Sequence, residues 1–235
     1  MNCFSNVARV TFACFALAAT SACLGSGGGG GGGGAAAAGV AGATASAFAD
    51  YDAAYADATA NRLGNAPTGN MPTSGSASFA GQFQTGAIQR QSGGKVADAM
   101  MGDIAMAVKF GAGSTGSVTS TIDNMLAKSG SRVVPVTGTL KSNSSTQNVV
   151  AVTTQSVNVP GRGTQTVRSG SVVSGAAGAV KSDLAGLAGD MNVTLQGSFT
   201  GSGAKGTIGT ATVLVDTGTV GKGLAGSGTH YTKRQ

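Results

Sequence analysis

The sequence predicts an all-β protein: a single antiparallel β-barrel of about eight strands, preceded by one short α-helix and a disordered Gly-rich tether. Charged residues make up only 10% and aromatic residues 5% of the chain, while Val, Thr, Ser and Gly are abundant. This composition favours strands and turns over helices. From Pro67 onward, apolar and polar residues alternate, and Gly, Ser and Asn separate the alternating segments at short intervals. About eight such strands favour closure, because closure removes exposed sheet edges.

The alternation is clearest in residues 76–85 and 102–110, where every second residue is apolar or Gly. Further strands are predicted near residues 117–123, 133–142, 148–158, 166–174, 190–200, 205–215 and 221–231. The barrel domain is predicted to span residues 67–235. We expect its interior to be packed, without a large pocket, and to contain Phe79, Phe83, Ile104, Met106, Phe110, Leu195 and Phe199.

An amphipathic helix is predicted over residues 47–64. Ser46 is a suitable N-cap, Gly64 is a suitable C-cap, and Asp50 and Asp52 in the first turns suit the helix dipole. We expect its apolar stripe to pack on the barrel; the stripe consists of Phe48, Tyr51, Tyr55 and Leu63.

Residues 1–22 are predicted to be a signal peptide. The apolar stretch Val10–Thr20 is shorter than the roughly 20 residues that a membrane-spanning helix needs, and it fits the central region of an export signal. Residues 20–23, Thr-Ser-Ala-Cys, resemble the lipobox of bacterial lipoproteins, in which the cysteine receives a diacylglyceryl thioether and becomes the mature N-terminus. The alternative is an ordinary signal peptide that is cut after Ala22 and leaves Cys23 free.

Residues 23–46 are predicted to be a lipidated, disordered tether. The segment contains eight consecutive glycines, Gly27–Gly34, followed by alanines. It cannot bury enough apolar surface to fold by itself, and as a flexible chain it would span on the order of 25 Å. A tether of this kind favours the lipoprotein interpretation of Cys23.

Three segments of the predicted barrel resemble the β-barrel domain of transferrin-binding protein B and its lipoprotein relatives, including factor-H-binding protein. They are Met71–Ala77, then Gly102–Gly111 with Gly116–Asn124, and finally Leu195–Ala204 with Gly209–Ala211, in this order and spacing. A cysteine followed by polyglycine, as at Cys23, is also shared by that group. The resemblance covers roughly residues 67–235 and implies an eight-stranded barrel on a lipid anchor at the bacterial outer membrane. Transferrin-binding protein B has two lobes, each with a handle domain, whereas this chain has room for one barrel and no handle.

The resemblance implies a non-enzymatic binding lipoprotein, anchored at the outer membrane through Cys23 on its cell-surface or periplasmic face, with a protein or small ligand as partner. The alternative is a structural envelope lipoprotein without a dedicated ligand. Because connecting segments on rigid scaffolds usually carry function, we expect binding in three polar segments rather than inside the barrel. These are Lys128–Arg132, Lys141–Gln147 and Pro160–Arg168, with the cationic residues Lys128, Arg132, Lys141, Arg162 and Arg168. The alternative is that these segments are ordinary solvated loops.

Other chemistry is not supported by the sequence. The segment Gly201–Gly206 matches G-x-G-x-x-G, but a strand pattern follows where a dinucleotide site needs a helix. The cationic residues are scattered, which does not indicate a nucleic-acid footprint, and the Asp residues form no tight pair for acid–base catalysis. His230 is the only histidine, so we expect no metal site or cofactor, and we expect His230 to be solvent-exposed or to cap an element.

Overall fold

The computed structural model of this chain describes residues 46–60, 68–111, 115–142, 147–219 and 222–235. The predicted signal peptide, Cys23, nearly all of the tether and the predicted C-cap Gly64 lie outside these residues. The described part contains one helix and twelve strands: α1 Ser46–Ala60, β1 Ser76–Thr85, β2 Ile88–Arg90, β3 Lys95–Ala97, β4 Ala99–Lys109, β5 Thr115–Ser129, β6 Arg132–Thr137, β7 Leu140–Lys141, β8 Asn148–Val159, β9 Gly163–Ser182, β10 Gly189–Thr200, β11 Gly206–Asp216 and β12 Leu224–Arg234.

The long strands form a closed antiparallel ring with eight positions, which confirms the predicted barrel. The order around the ring is β1, β4, β5, a shared position, β9, β10, β11 and β12, and β12 pairs with β1 to close it. The closing pair is in register from Phe79↔Arg234 to Thr85↔Gly228. Closure therefore joins the N-terminal and C-terminal strands of the domain.

The shared position between β5 and β9 is filled by three short segments in succession, β6, β7 and the first part of β8. Between the end of β7 and the start of β8, side-chain hydroxyl groups take the place of some backbone hydrogen bonds to the neighbouring strands. The Ser142 hydroxyl donates to the Gly175 carbonyl at 3.0 Å, and the buried Ser174 hydroxyl donates to the Ser120 hydroxyl at 2.9 Å. These bonds satisfy polar groups that burial would otherwise leave unpaired.

The interior is packed with apolar side chains, as the alternation predicts. All seven residues that the sequence assigns to the interior are buried. The Phe199 ring lies edge-on to two other rings, with centroid distances of 5.8 Å to Phe79 and 6.0 Å to Phe110. Such pairs add specific geometry to the apolar burial.

The two ends of the barrel differ. The β4–β5, β8–β9 and β10–β11 turns lie at one end, which we name the ribbon end after the long β8–β9 hairpin. The β5–β6, β9–β10 and β11–β12 turns lie at the opposite end. The small β2–β3 hairpin also lies there, and its strand β2 pairs with the start of β12 at Leu224↔Arg90. Sequence periodicity did not indicate this hairpin, because each of its strands has only three residues.

Helix α1 packs on the outside of the barrel, as predicted. The Tyr51 hydroxyl donates to the Thr229 carbonyl at 2.7 Å. Its ring stacks on Tyr55 with a centroid distance of 5.9 Å and contacts the tilted ring of Tyr231 with a centroid distance of 5.6 Å. Burial raises the pKa of the Tyr51 phenol. The helix runs alongside β12 from the opposite end toward the ribbon end.

Two contacts fix this direction: Asp52 accepts a 3.0 Å hydrogen bond from Gln84 near the end of β1, and Asp57 lies 3.6 Å from Lys233 near the end of β12. The helix begins at Ser46, so its first turn contains no acidic residue, and Asp50 and Asp52 lie in its second turn, where the effect of the helix dipole is weaker.

The prediction for His230 is wrong. The side chain is 0% exposed and lies inside the barrel rather than in solvent or at a cap. Strand alternation in β12 explains this position, since His230 shares the inner face with Leu224 and Thr232, which are also buried.

Candidate functional site

The most prominent surface feature is a two-stranded ribbon that continues the barrel wall beyond its ribbon end. Strands β8 and β9 pair without interruption from Asn148↔Ser174 to Val159↔Gly163. Within the described ranges their outer partners stop earlier, since β5 pairs with β8 only as far as Ala151 and β10 pairs with β9 only from Ser171 onward. We therefore name residues 152–170 the ribbon.

Most of the ribbon is exposed on both of its faces. Every residue from Thr153 to Asn158 and from Pro160 to Thr166 is exposed, including Val157 at 43%. At the rise of an antiparallel strand, residues 152–159 extend over about 25 Å. A segment with so little burial contributes little to the core, which leaves its side chains available to a partner.

The tip of the ribbon is a tight, preorganised turn. The Arg162 amide donates to the Val159 carbonyl at 2.9 Å, which places Pro160 and Gly161 at the two central positions of a β-turn. Gly161 has φ 76°, a conformation that suits glycine, and proline fixes the backbone before it. The predicted loop Pro160–Arg168 is thus a short turn followed by a strand, because Gly163 already begins β9.

The base of the ribbon is held by residues 68–71, which we name the strap. The Arg168 amide donates to the Gly69 carbonyl at 2.8 Å, and the Met71 amide donates to the Arg168 carbonyl at 3.0 Å. Met71 is buried and lies so close to Gly170 that a Cβ there would meet its Sδ at 2.6 Å. The strap therefore fixes the direction in which the ribbon leaves the barrel.

The ribbon carries positive charge and no acidic residue. Arg162 and Arg168 are the only charged residues between positions 147 and 174. One face combines Gln155, Val157 and Val167, while the other presents small hydroxyl and amide groups: Thr154, Ser156, Asn158, Thr164 and Thr166.

The whole ribbon end is basic. Its cationic side chains are Lys109, Arg162, Arg168, Lys205, Lys233 and Arg234. Among the described residues, the only acidic side chain near this end is Asp57, which pairs with Lys233. Two shallow surface depressions of about 810 and 470 Å³ lie here and share Arg234 and Gln235 in their walls.

In their described residues, the other two predicted binding segments present less exposed surface to a partner than the ribbon does. Lys128 and Arg132 flank a turn in which Gly130 has φ 61°, and the Gly130 amide donates to Asp98 at 2.5 Å. Lys95 pairs with the same carboxylate, and together they hold the pKa of Asp98 below its usual range. This turn is short and pinned at the end opposite the ribbon.

In the segment Lys141–Gln147, residues 143–146 lie outside the described residues, and Lys141 belongs to β7. Of the five cationic residues singled out from the sequence, Arg162 and Arg168 both belong to the ribbon, at its tip and its base, whereas Lys128 and Arg132 flank the β5–β6 turn at the opposite end. The sequence could have indicated the ribbon itself through its long run of polar β-formers, residues 153–166, in which few positions are apolar.

His230 is the only histidine of the sequence. Within the described residues its ring forms no hydrogen bond to an acidic or nucleophilic side chain. Its Nδ1–H donates to the Thr210 carbonyl at 3.0 Å, which leaves Nε2 buried without a hydrogen bond. Burial lowers the pKa of His230 to about 4. Within the described residues no group of three His, Cys, Asp or Glu side chains could hold a metal ion.

The fold and site define a class: an antiparallel β-barrel with a packed interior, an external helix and a basic, protruding ribbon. Comparison with known proteins adds no closer relationship, since no family model, curated protein or solved structure matches this chain. The resemblance to the transferrin-binding protein B group thus rests on the sequence motifs alone. As a separate finding, no helix in the described part of the chain is long and apolar enough to cross a membrane.

Proposed function

We propose that this chain is a non-enzymatic binding lipoprotein of the bacterial cell envelope, lipid-anchored at Cys23, which presents the ribbon end of its barrel to a protein partner. The observation that carries the proposal is the ribbon: residues 153–158 and 160–166 are exposed on a rigidly braced hairpin that the core does not need. Rigid scaffolds that present exposed connections commonly use them for binding.

The direction of α1 supports the proposal. Ser46 begins the helix at the end opposite the ribbon, so the chain that precedes Ser46 joins the barrel at that end. A lipid anchor at Cys23 would then be joined to the barrel through the end of α1 that lies away from the ribbon. This polarity suits a domain whose basic end meets a partner in solution.

The class of partner follows from the site rather than from a relative. The barrel interior is filled by side chains such as Phe83 and Phe199, so we assign binding to the exterior. An extended, braced hairpin with Val157 exposed among polar groups suits a protein surface better than a small molecule, which needs a concave site. Membership of the transferrin-binding protein B group remains part of the proposal. We do not assign the ligand of any member of that group to this chain.

The test is saturable capture of a protein partner by cells that display the chain. One variant replaces residues 156–166 with Asn-Gly, which joins the hydrogen-bonded pair Gln155↔Val167 by a two-residue hairpin. The matched control removes two cations at the opposite end, Lys128→Ser with Arg132→Ser.

We expect the wild type and the control to capture a partner from host or environmental extracts, and the shortened ribbon to lose capture while its melting temperature is preserved. Failure of the wild type to retain any protein saturably would favour the structural-lipoprotein alternative. Undiminished capture by the shortened variant would show that the ribbon is not the site.

A further inference from the structure

One edge of the ribbon is open to pairing. Strand β8 pairs with β5 only over Val149–Ala151, and beyond Ala151 its only partner among the described residues is β9. The other edge, along β9, is partly covered, because the strap pairs with Arg168. With respect to the described part of the chain, the longer free edge is therefore that of β8, from Val152 to Asn158.

The backbone groups that face this edge can be identified from the ladder. The amide and carbonyl of Arg168 both bond to the strap and hence point away from β8. In an antiparallel pair, two directly opposed residues either both exchange ladder bonds or both point outward, and the two kinds alternate. Thr154, which opposes Arg168, therefore directs its amide and carbonyl outward, and so do Val152, Ser156 and Asn158.

These four residues present four N–H and four C=O groups at the β8 edge. Natural proteins usually protect such edges with Lys, Pro, a bulge or an inward-pointing charge. Strand β8 has none of these devices, since Asn148–Val159 contains no charged residue and no Pro and its register with β9 is unbroken. An unprotected edge of this length is a template for another strand.

We propose that the β8 edge, Val152–Asn158, binds an extended acidic segment of the partner protein as an additional β-strand. This inference rests on the proposed binding function and specifies how the partner is recognised. Main-chain hydrogen bonds to the four outward residues supply affinity, as in other cases of strand addition. The added strand lies on the same side of β8 as β5, whose residues 115–117 already pair with β8.

Charge identifies the occupant. The ribbon carries Arg162 and Arg168 without any acidic residue, and the ribbon end adds further cations such as Lys109 and Arg234. A second copy of this chain at the same edge would bring two basic ends together, and like charges across an interface oppose association. Acidic side chains on the added strand would instead meet complementary charge.

The experiment uses a phage-displayed library of twelve-residue peptides selected on the full mature chain. We expect the selected peptides to be enriched in Asp and Glu and in alternating β-branched residues. A selected peptide is then measured by fluorescence anisotropy against two variants, Ser156→Pro and Thr166→Pro. These residues oppose each other across the ribbon, and both direct their amides outward, on opposite edges.

Neither proline removes a β8–β9 ladder bond, and edge positions tolerate proline. Ser156→Pro should weaken peptide binding at least tenfold, whereas Thr166→Pro should change it less than twofold. A second arm keeps the protein unchanged and compares two N-methylated peptides, one methylated at the odd-numbered amide nitrogens and the other at the even-numbered ones. One of the two should bind at least tenfold more weakly than the unmethylated peptide, and the other should not, because only every second amide of an added strand faces β8.

Equal affinity of Ser156→Pro and wild type, or insensitivity to methylation in both phases, would overturn the inference. A wild-type dimer in sedimentation that Ser156→Pro dissociates would assign the edge to a second copy and would also overturn it. The two proposals fail separately. If the shortened ribbon loses partner capture but Ser156→Pro does not, the binding function stands and strand addition fails.

Discussion

The buried histidine predicts a specific dependence of stability on pH. Inside the barrel, His230 donates from Nδ1 to the Thr210 carbonyl, and its Nε2 is buried without a hydrogen-bond partner. Protonation of Nε2 would bury a positive charge and an unpaired donor. For this reason burial lowers the pKa of His230 from 6.5 to about 4 in the folded state.

The sign and size follow from proton linkage. Between these two pKa values the unfolded chain binds more protons than the folded chain, so stability is present above pH 6.5 and is lost as the pH falls toward 4. Between pH 7.5 and 4.5 this one group should cost about 2.5 kcal/mol of the free energy of unfolding. A loss of that size is a large share of the stability of a typical domain.

The assay is urea unfolding of wild type and His230→Gln at the two pH values. The variant keeps a side-chain amide that can donate to Thr210 but does not titrate, so its difference between pH 7.5 and 4.5 reports all other groups. We expect the wild type to lose about 2.5 kcal/mol more than the variant over this interval. Equal losses in the two proteins, or a titration of His230 near 6.5 observed by NMR, would refute the assignment of a neutral buried imidazole.

Further variants test the anchor, the core and the helix. Cys23→Ala should move the protein from the membrane fraction to the soluble fraction, and an unmodified Cys23 in the intact mass of the mature protein would contradict lipidation. Phe83→Ala should cost about 3–5 kcal/mol in urea unfolding, because the ring is fully buried, whereas Leu214→Ala, at a 52% exposed position, should stay within about 0.5 kcal/mol. Tyr51→Phe should cost about 1 kcal/mol by removing the hydrogen bond to Thr229, and a melting temperature equal to that of the wild type would show that this bond does not hold α1.

Sequence periodicity predicted strands well where large apolar residues mark every second position. Strand β1 has the predicted bounds, 76–85, because Phe79 and Phe83 define its inner face. Strand β9 was predicted as residues 166–174 but spans Gly163–Ser182. Its extension contains Gly175 to Gly178, which resembles a break in the sequence. In the barrel Gly178 is needed, since a Cβ there would lie 2.6 Å from the Thr139 carbonyl oxygen.

The candidate site was predictable only in part. Basic residues such as Arg162 mark the ribbon in the sequence, but its free edge depends on where β5 and β10 stop pairing, which local sequence does not encode. The position of His230 could have been obtained from strand phase, because it lies six residues after the buried Leu224 and therefore on the same face. A single histidine near a chain terminus gives no other signal of burial.

The closure of the ring between β1 and β12 constrains the order of events during folding. A nascent chain that has emerged only as far as Asp216 can pair β1 with β4, but the other edge of β1, Phe79–Thr85, has no partner yet. Strand β11 is in the same position, because its second partner is also β12. The incomplete sheet thus has two unpaired strand edges, on β1 and on β11, until β12 pairs with both. The β1–β12 contacts form slowly because the two strands are far apart in the sequence. We expect the vulnerable period for aggregation to end when β12 inserts, so that truncations within residues 224–234 should yield insoluble protein even though the preceding strands are intact.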